Sequence, residues 1–241
     1  MQYKKPYINI GLFIVLQREN MLILVHMEKT IAIGIPTVGY MHWRFTADLM
    51  SLQLPMSTRV IWQTRTMIDT ARNLIAMKAL EDVTTSHILM IDDDMTFDHD
   101  FVMKLIAHDV DIVGGLAFKR TPDYHPCTYR KKDDKYVPIL PEVFQEVDIV
   151  GTGGILIKRE VFEKLKYPYF ETWYNKTNAE EHFSVDFDFC IKAKKAGFKI
   201  FVDPDALMGH IGEAPIITKE TFLTTMKKLY ASTKNNNNGT S

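Results

Sequence analysis

Three consecutive carboxylates, Asp92, Asp93 and Asp94, follow the apolar run 88–91. An uninterrupted apolar run of this length is typical of a strand that is buried on both faces of a sheet. In open α/β sheets, ligands bind at the carboxyl ends of the strands, and a divalent cation neutralises clustered carboxylates there. The triplet therefore indicates a cation site. The alternative is a set of solvated loop acids, or a cap for the next helix.

A second acidic segment lies at 184–190, where Asp186 and Asp188 alternate with aromatic residues at the predicted start of a helix. An apolar setting raises the proton affinity of a carboxylate, which suits a general base near neutral pH. Asp186 is therefore a candidate general base. The alternative is an acid of the first helical turn, which the helix dipole favours.

Four further residues could complete a nucleotide and metal site. Pro36 and Thr37 end the first predicted strand, where a loop can hold a nucleotide base by backbone contacts. Arg72 lies on a predicted helix near that edge, and it could pair with phosphate or carboxylate or simply face solvent. His210 follows a strand and a glycine. An imidazole can join carboxylates around Mn²⁺, although a lone histidine is more often structural.

These residues need a sheet that brings them to one edge, and the order of predicted elements supplies it. Strands are predicted at 31–35, 59–63, 88–91 and 111–118, with helices between them at 45–52, 68–80 and 98–108. This alternation predicts a parallel α/β sheet with right-handed crossovers. Residues 119–142 are polar and contain several prolines, so we expect a functional loop or flap there.

The second half of the chain is less regular. The predicted elements are strands at 147–150 and 155–157 around the glycine cluster 151–154, a helix at 159–165, an aromatic loop at 167–174, a helix at 185–196 closed by Gly197, a strand at 198–202 and a helix at 219–230. We predict one domain over 27–231, preceded at 1–26 by a poorly defined extension or added strand. An Asn-rich tail at 232–241 is predicted to be disordered.

Composition narrows the classes of function. The 241 residues include 29 basic and 30 acidic side chains, a formal net charge of -1, which disfavours a nucleic-acid partner. No apolar run reaches the roughly 18 to 20 residues of a transmembrane segment, and residues 17–20 do not suit a signal cleavage site. Cys127 and Cys190 lack a metal-binding spacing, so we expect free thiols and a cytoplasmic location.

Six segments, taken in order, resemble the GT-A nucleotide-sugar glycosyltransferases, especially the family 2-like group. The segments are Ile33-Gly34-Ile35-Pro36-Thr37, Ala71-Arg72-Asn73, Ile91-Asp92-Asp93-Asp94, Val150-Gly151-Thr152-Gly153-Gly154, Asp186-Phe187-Asp188-Phe189-Cys190 and Gly209-His210. The resemblance spans residues 31–212. It implies a GT-A (Rossmann-like), mostly parallel sheet flanked by helices, with a smaller β region on the acceptor side.

The resemblance implies that the acidic triplet supplies the DxD element of the family. Asp94 would bind Mn²⁺ or Mg²⁺ and Asp92 would contact the ribose or the metal, while Asp93 could take either role. His210 would be a further metal ligand. The nucleotide-sugar pocket would be completed by Pro36, Thr37, Arg72, Gly153 and Gly154, the glycines allowing the backbone to approach the sugar.

On the acceptor side, the resemblance implies that Asp186 is the general base of an inverting enzyme. Val185 stands where inverting members carry a glutamate, although Glu180 or Glu181 could compensate. Trp173 and Tyr174 could stack on an acceptor sugar, and loop packing is the alternative for both.

The expected function is transfer of a sugar from a UDP- or GDP-type nucleoside diphosphate sugar to a hydroxyl group. The acceptor would be a carbohydrate, a lipid-linked molecule or a protein. Two alternatives stay open: a nucleotidyltransferase of related fold, and a non-catalytic protein that binds nucleotide-sugars. Against the nucleotidyltransferase, the first predicted strand is not followed by a Gly-rich, Lys/Arg-bearing loop that would hold a triphosphate.

Overall fold

The structure, a computed structural model, describes residues 11–18, 21–55, 57–174, 182–212 and 216–237. The strands are β1 Gly11–Arg18, β2 Met21–Glu28, β3 Thr30–Thr37, β4 Ser57–Thr64, β5 Thr85–Ile91, β6 Met95–Phe97, β7 Ile112–Leu116, β8 Thr128–Lys132, β9 Lys135–Pro138, β10 Gln145–Val147, β11 Ile149–Val150, β12 Gly154–Lys158, β13 Trp173–Tyr174, β14 His182–Phe183 and β15 Ile200–His210. The helices are α1 Trp43–Ser51, α2 Ile68–Leu80, α3 Phe101–Ala107, α4 Arg159–Lys164, α5 Val185–Lys195 and α6 Lys219–Asn237.

The central sheet has the strand order β10-β15-β7-β12-β5-β3-β4, and β6 pairs with β15. β3 runs parallel to β4 and β5, and β7 runs parallel to β15. β12 is antiparallel to both of its neighbours, because the chain enters it at the edge where β5 ends and Gly154 pairs with Ile91. The predicted α/β class with flanking helices is confirmed, and the sheet is mixed, because β12, β10 and β6 each pair antiparallel with their neighbours.

Both faces of the sheet are covered at its centre, which explains the uninterrupted apolar runs. On β5, Met90 packs in the cluster that contains Ile75 of α2, whereas its neighbour Leu89 packs with Phe101 of α3. The carboxyl end of β5 is therefore fixed from both sides. β15 is longer than the predicted strand 198–202 and carries the chain without a break to His210.

The predicted loop 119–142 was only partly correct, because it contains the antiparallel hairpin β8–β9. Lys132 pairs with Lys135, so residues 133–134 form a two-residue turn, and Asp133 has a φ of 54°. Aspartate tolerates this left-handed conformation better than most residues. β11 pairs with the other side of β8, which gives a small separate sheet beside α5.

The ends of the chain are more regular than the sequence indicated. β1 and β2 form an antiparallel hairpin in register from Gly11–Glu28 to Arg18–Met21, within the segment predicted to be poorly defined. Helix α6 continues to Asn237 rather than ending at 230, since no proline or glycine interrupts it before Gly239. Part of the predicted disordered tail is thus helical, and residues 238–241 lie outside the described residues. The domain limits stay predictions.

Candidate functional site at the carboxyl end of β5

Asp92 is held by a buried arginine. Arg72 of α2 donates from Nη1 to Asp92 Oδ1 at 2.9 Å and from Nη2 to Oδ2 at 3.0 Å. Burial opposes the charge of Arg72, but the neighbouring carboxylates, Asp92 first and then Asp186 and Asp94, raise its pKa. The alternative that Arg72 faces solvent is therefore wrong. The two-pronged pair also occupies both carboxylate oxygens of Asp92.

Asp94 and His210 lie 116 positions apart in sequence and meet at the end of the sheet. His210 Nδ1 is 2.9 Å from the carbonyl oxygen of Phe118, which must accept the hydrogen bond. In a neutral imidazole, Nε2 then carries the lone pair, and it lies 3.2 Å from Asp94 Oδ2. Burial opposes charge on His210, but contact with Asp94 raises the pKa of His210. Without another cation, a protonated His210 and Asp94 form an ion pair.

This pair has the chemistry of two neighbouring ligands of a divalent cation. Bonds of about 2.1 Å at right angles place two ligand atoms ~3.0 Å apart, close to the separation of Nε2 and Oδ2. The hydrogen bond from Nδ1 to a backbone carbonyl orients the ring as it does in known metal sites. Within the described ranges, no cluster of three histidine, cysteine or acidic side chains could hold a metal. The residues thus fit an ion whose other ligands come from substrate and water.

Arg120 is a site residue that the sequence did not reveal. Its Nη1 donates to Asp94 Oδ2 at 2.9 Å from an exposed segment after β7. Burial opposes ionisation of Asp94, but the contacts with His210 and then Arg120 outweigh it and lower the pKa of Asp94. Exposed ion pairs contribute little to stability, so this contact with Arg120 can readily be exchanged for a cation. Because Arg120 lies in a polar loop without a periodic pattern, the sequence did not indicate that it belongs to the site.

Asp93 connects the triplet to the end of β3. Burial raises the pKa of Asp93, against the hydrogen bond from the Thr37 hydroxyl. Asp93 Oδ2 is buried and has no hydrogen-bond partner among the described residues. Pro36, the residue before Thr37, is buried at the end of β3. Pro36, Thr37 and Asp93, three of the residues predicted for the nucleotide pocket, therefore lie next to one another, and Asp93 offers a spare acceptor.

Asp186 lies in the first turn of α5, as its structural alternative also required. It accepts a short hydrogen bond from the hydroxyl of Thr152, in the turn that leads into β12. Burial raises the pKa of Asp186, and Arg72 and Thr152 oppose that shift. Asp186 also lines a cavity of about 720 Å³ between the β8–β9 hairpin and α5. A buried acid beside a cavity suits a general base.

The other residues predicted for the site, Gly153, Gly154, Trp173 and Tyr174, have fewer described contacts with its charged groups. A Cβ on Gly153 would lie 3.0 Å from Asp92 Oδ2, so this glycine leaves room for the carboxylate. Gly154 is buried in β12, where a Cβ would overlap Met208, which accounts for this glycine by packing. Trp173 is half exposed and pairs in register with Phe183. The side chain of Tyr174 and residues Glu180 and Glu181 lie outside the described residues.

Comparison with known proteins supports the fold. No protein-family model and no curated protein matches the chain. The crystal structure of A197 from STIV is similar with a TM-score of 0.57 and 20% sequence identity, covering 80% of this chain and 91% of A197. The crystal structure of GalNAc-T7 with UDP, GalNAc and Mn²⁺ has a TM-score of 0.48 and 13% identity, covering 76% of this chain and 43% of GalNAc-T7. This chain therefore spans less than half of GalNAc-T7. The likeness to A197 shows the fold alone.

None of the described helices combines the length and the apolar character that crossing a membrane requires.

Proposed function

We propose that the protein is a metal-dependent glycosyltransferase that moves a sugar from a UDP- or GDP-type nucleoside diphosphate sugar to a hydroxyl acceptor. One observation carries the proposal: the Asp94–His210 pair and the buried Asp186 both lie within electrostatic reach of Arg72 at the same edge of the sheet. A candidate cation site and a candidate base are thus close together. An inverting, metal-dependent sugar transfer from a diphosphate donor uses this combination.

On the donor side, Pro36, Thr37 and Asp93 hold the nucleoside. The unpartnered oxygen of Asp93 accepts a hydrogen bond from a donor group of the ribose or base. Asp94 and His210 hold Mn²⁺ or Mg²⁺, which when bound offsets the negative charge of the departing diphosphate. Arg72 keeps Asp92 in place, and Gly153 leaves the space beside that carboxylate open.

On the acceptor side, Asp186 removes the proton of the attacking hydroxyl. The acceptor oxygen forms a bond to the anomeric carbon while the bond from that carbon to the diphosphate oxygen breaks, so the configuration inverts. The hydrogen bond from Thr152 fixes one oxygen of Asp186. Burial holds its pKa above the usual range of aspartate, which makes it a better base than a solvated carboxylate. Trp173 and Tyr174 remain candidates for contact with the acceptor.

The proposal is tested with the full chain, Mn²⁺ and a panel of UDP-, GDP- and dTDP-sugars, by measuring the nucleoside diphosphate released. We expect one donor class to be hydrolysed or transferred, and Asp94→Ala to lose metal-dependent binding of UDP or GDP. Asp186→Asn should keep nucleotide binding and lose at least about 100-fold in transfer rate. Asp188→Asn is the matched control, because Asp188 lies on the same helical turn and pairs with Lys192.

Binding of a nucleotide-sugar without any turnover would instead support the non-catalytic alternative. The cytoplasmic location also stays a proposal. Both cysteines are free thiols, as expected for a reducing compartment, and burial raises the pKa of each, Cys127 and Cys190, to about 12.

A further inference from the structure

Arg120 contacts the same oxygen of Asp94 that faces the second candidate metal ligand. Its Nη1 donates to Asp94 Oδ2 at 2.9 Å, and His210 Nε2 lies 3.2 Å from that oxygen. A divalent cation on this oxygen would face the positive charge of the guanidinium, and two cations so close together repel each other. Arg120 and a metal ion therefore compete for Asp94.

The contact with Asp94 is the only hydrogen bond or ion pair that holds the Arg120 guanidinium within the described ranges. The Arg120 side chain is 58% exposed. Arg72 differs, because it is buried and its two-pronged pair with Asp92 uses both of its terminal nitrogens. A single exposed contact can be broken at little cost to the fold. Arg120 can thus leave Asp94 while Arg72 stays on Asp92.

The backbone on either side of Arg120 is fixed at this edge of the sheet. The carbonyl oxygen of Phe118 is 2.9 Å from His210 Nδ1, and the backbone nitrogen of Lys119 donates to the carbonyl oxygen of His125 at 2.8 Å. A released guanidinium therefore stays close to the candidate metal ligands.

The anion that a released guanidinium meets there is the diphosphate of the donor. Under the proposed function, the departing diphosphate lies at the Asp94–His210 pair, which Arg120 already contacts. The planar fork of a guanidinium suits two phosphate oxygens at once. We propose that Arg120 couples metal binding to donor binding: it leaves Asp94 when a divalent cation binds, and it then pairs with the donor diphosphate. The inference rests on the proposed function, because it uses the same metal site and the same donor.

The test measures binding and needs no turnover. Mn²⁺ is titrated into the full chain and into its Arg120→Gln variant, and free Mn²⁺ is followed by electron paramagnetic resonance. The variant should bind Mn²⁺ about three- to tenfold more tightly, because the competing cation is gone. UDP is then titrated at saturating Mn²⁺ by calorimetry, and it should bind the variant about tenfold less tightly. Uridine, which lacks phosphate, should bind both proteins equally.

Two further variants assign the effect to the contact between Arg120 and Asp94. Lys119→Gln removes the same charge from the neighbouring residue, but the described ion pairs of Asp94 are with Arg120 and His210. Both affinities of this control should stay within about twofold of the wild type. Arg120→Lys keeps the charge without the planar fork, so it should return the Mn²⁺ affinity towards the wild-type value and recover only part of the UDP affinity.

The opposite directions of the two changes separate this coupling from a structural role of Arg120. Mn²⁺ and UDP affinities that change in the same direction in Arg120→Gln, that do not change, or that change equally in Lys119→Gln would overturn the inference and leave the proposed function standing. A wild-type chain that binds neither Mn²⁺ nor UDP would overturn both. Circular dichroism checks the folding of Arg120→Gln, which should unfold at the wild-type temperature because the lost ion pair is exposed.

Discussion

Replacing Asp92 with asparagine should destabilise the fold strongly, because it removes the charge that balances a buried guanidinium. The Arg72 side chain is 3% exposed and that of Asp92 is 28% exposed. Arg72 Nε is buried without a partner in the described ranges, so its polar contacts there depend on Asp92. Removing one member of a buried pair costs about 3–5 kcal/mol in the free energy of unfolding.

The lower end of that range applies to this pair. Water reaches Asp92 on its exposed side, and Arg72 keeps a favourable interaction with Asp186 in the variant. We therefore expect a loss of about 3 kcal/mol, which lowers the Tm of a chain of this size by about 6–12 °C.

The assay is urea unfolding followed by circular dichroism, with and without Mn²⁺. The variants are Asp92→Asn, Arg72→Met and the double variant, which should lose less stability than the sum of the single losses. Asp98→Asn is the control, since its side chain is 72% exposed and should change stability by less than about 0.5 kcal/mol. Stability of Asp92→Asn equal to that of the control would refute the reasoning. A loss seen only with Mn²⁺ present would make Asp92 a metal ligand instead.

Three further substitutions test other contacts. Burial raises the pKa of Asp186, so the folded state favours the protonated acid and stability is lost as pH rises through that pKa. Asp186→Asn should therefore raise the Tm at pH 7, measured by calorimetry, while transfer is lost. Asn73→Ala removes three hydrogen bonds to the backbone of residues 169–170 and should cost about 2–4 kcal/mol in urea unfolding, with faster amide exchange there. Gly154→Ala should cost about 1–3 kcal/mol by the same assay, because its Cβ overlaps Met208, and a smaller residue at 208 should restore part of the loss.

The central sheet could be predicted from the sequence because burial leaves a pattern in residue order. The apolar run of β5 and the helical spacing of Ile75 and Ala79 on α2 report which residues face the core. The direction of β12 leaves no such trace, since a buried strand has the same composition whether it runs parallel or antiparallel. The direction of β12 depends on the edge at which the chain enters the central sheet, and that edge is set by the segment that forms the small sheet before β12.

The β8–β9 hairpin was missed for a related reason. Its outer residues, Arg130 to Lys132, are exposed, so the alternation of apolar and polar side chains that marks a half-buried strand is absent. The turn signal at 133–134 was present, but a turn alone does not identify its strands. Lys135 and Tyr136 of the cavity wall were missed with it.

Within the site, the residues that belong to the recognised motifs were easier to predict than the loop residues that contact them. The resemblance implied both Asp94 and His210, and the structure brings them together. Thr152 and Arg120 contact Asp186 and Asp94 through folding of loops that have no periodic pattern. A single hydroxyl or guanidinium in such a loop cannot be distinguished by sequence from its solvated neighbours.

Val185 stands where the resemblance places a glutamate, and its surroundings explain why a carboxylate does not occur there. Val185 is 5% exposed and belongs to the hydrophobic core cluster that also contains Phe189. A glutamate at 185 in the same orientation would bury a carboxylate among apolar side chains, at a cost that only a charged or hydrogen-bonded partner offsets. Position 185 therefore supplies packing, and under the proposed function an acceptor would have to be oriented by residues other than the one at 185.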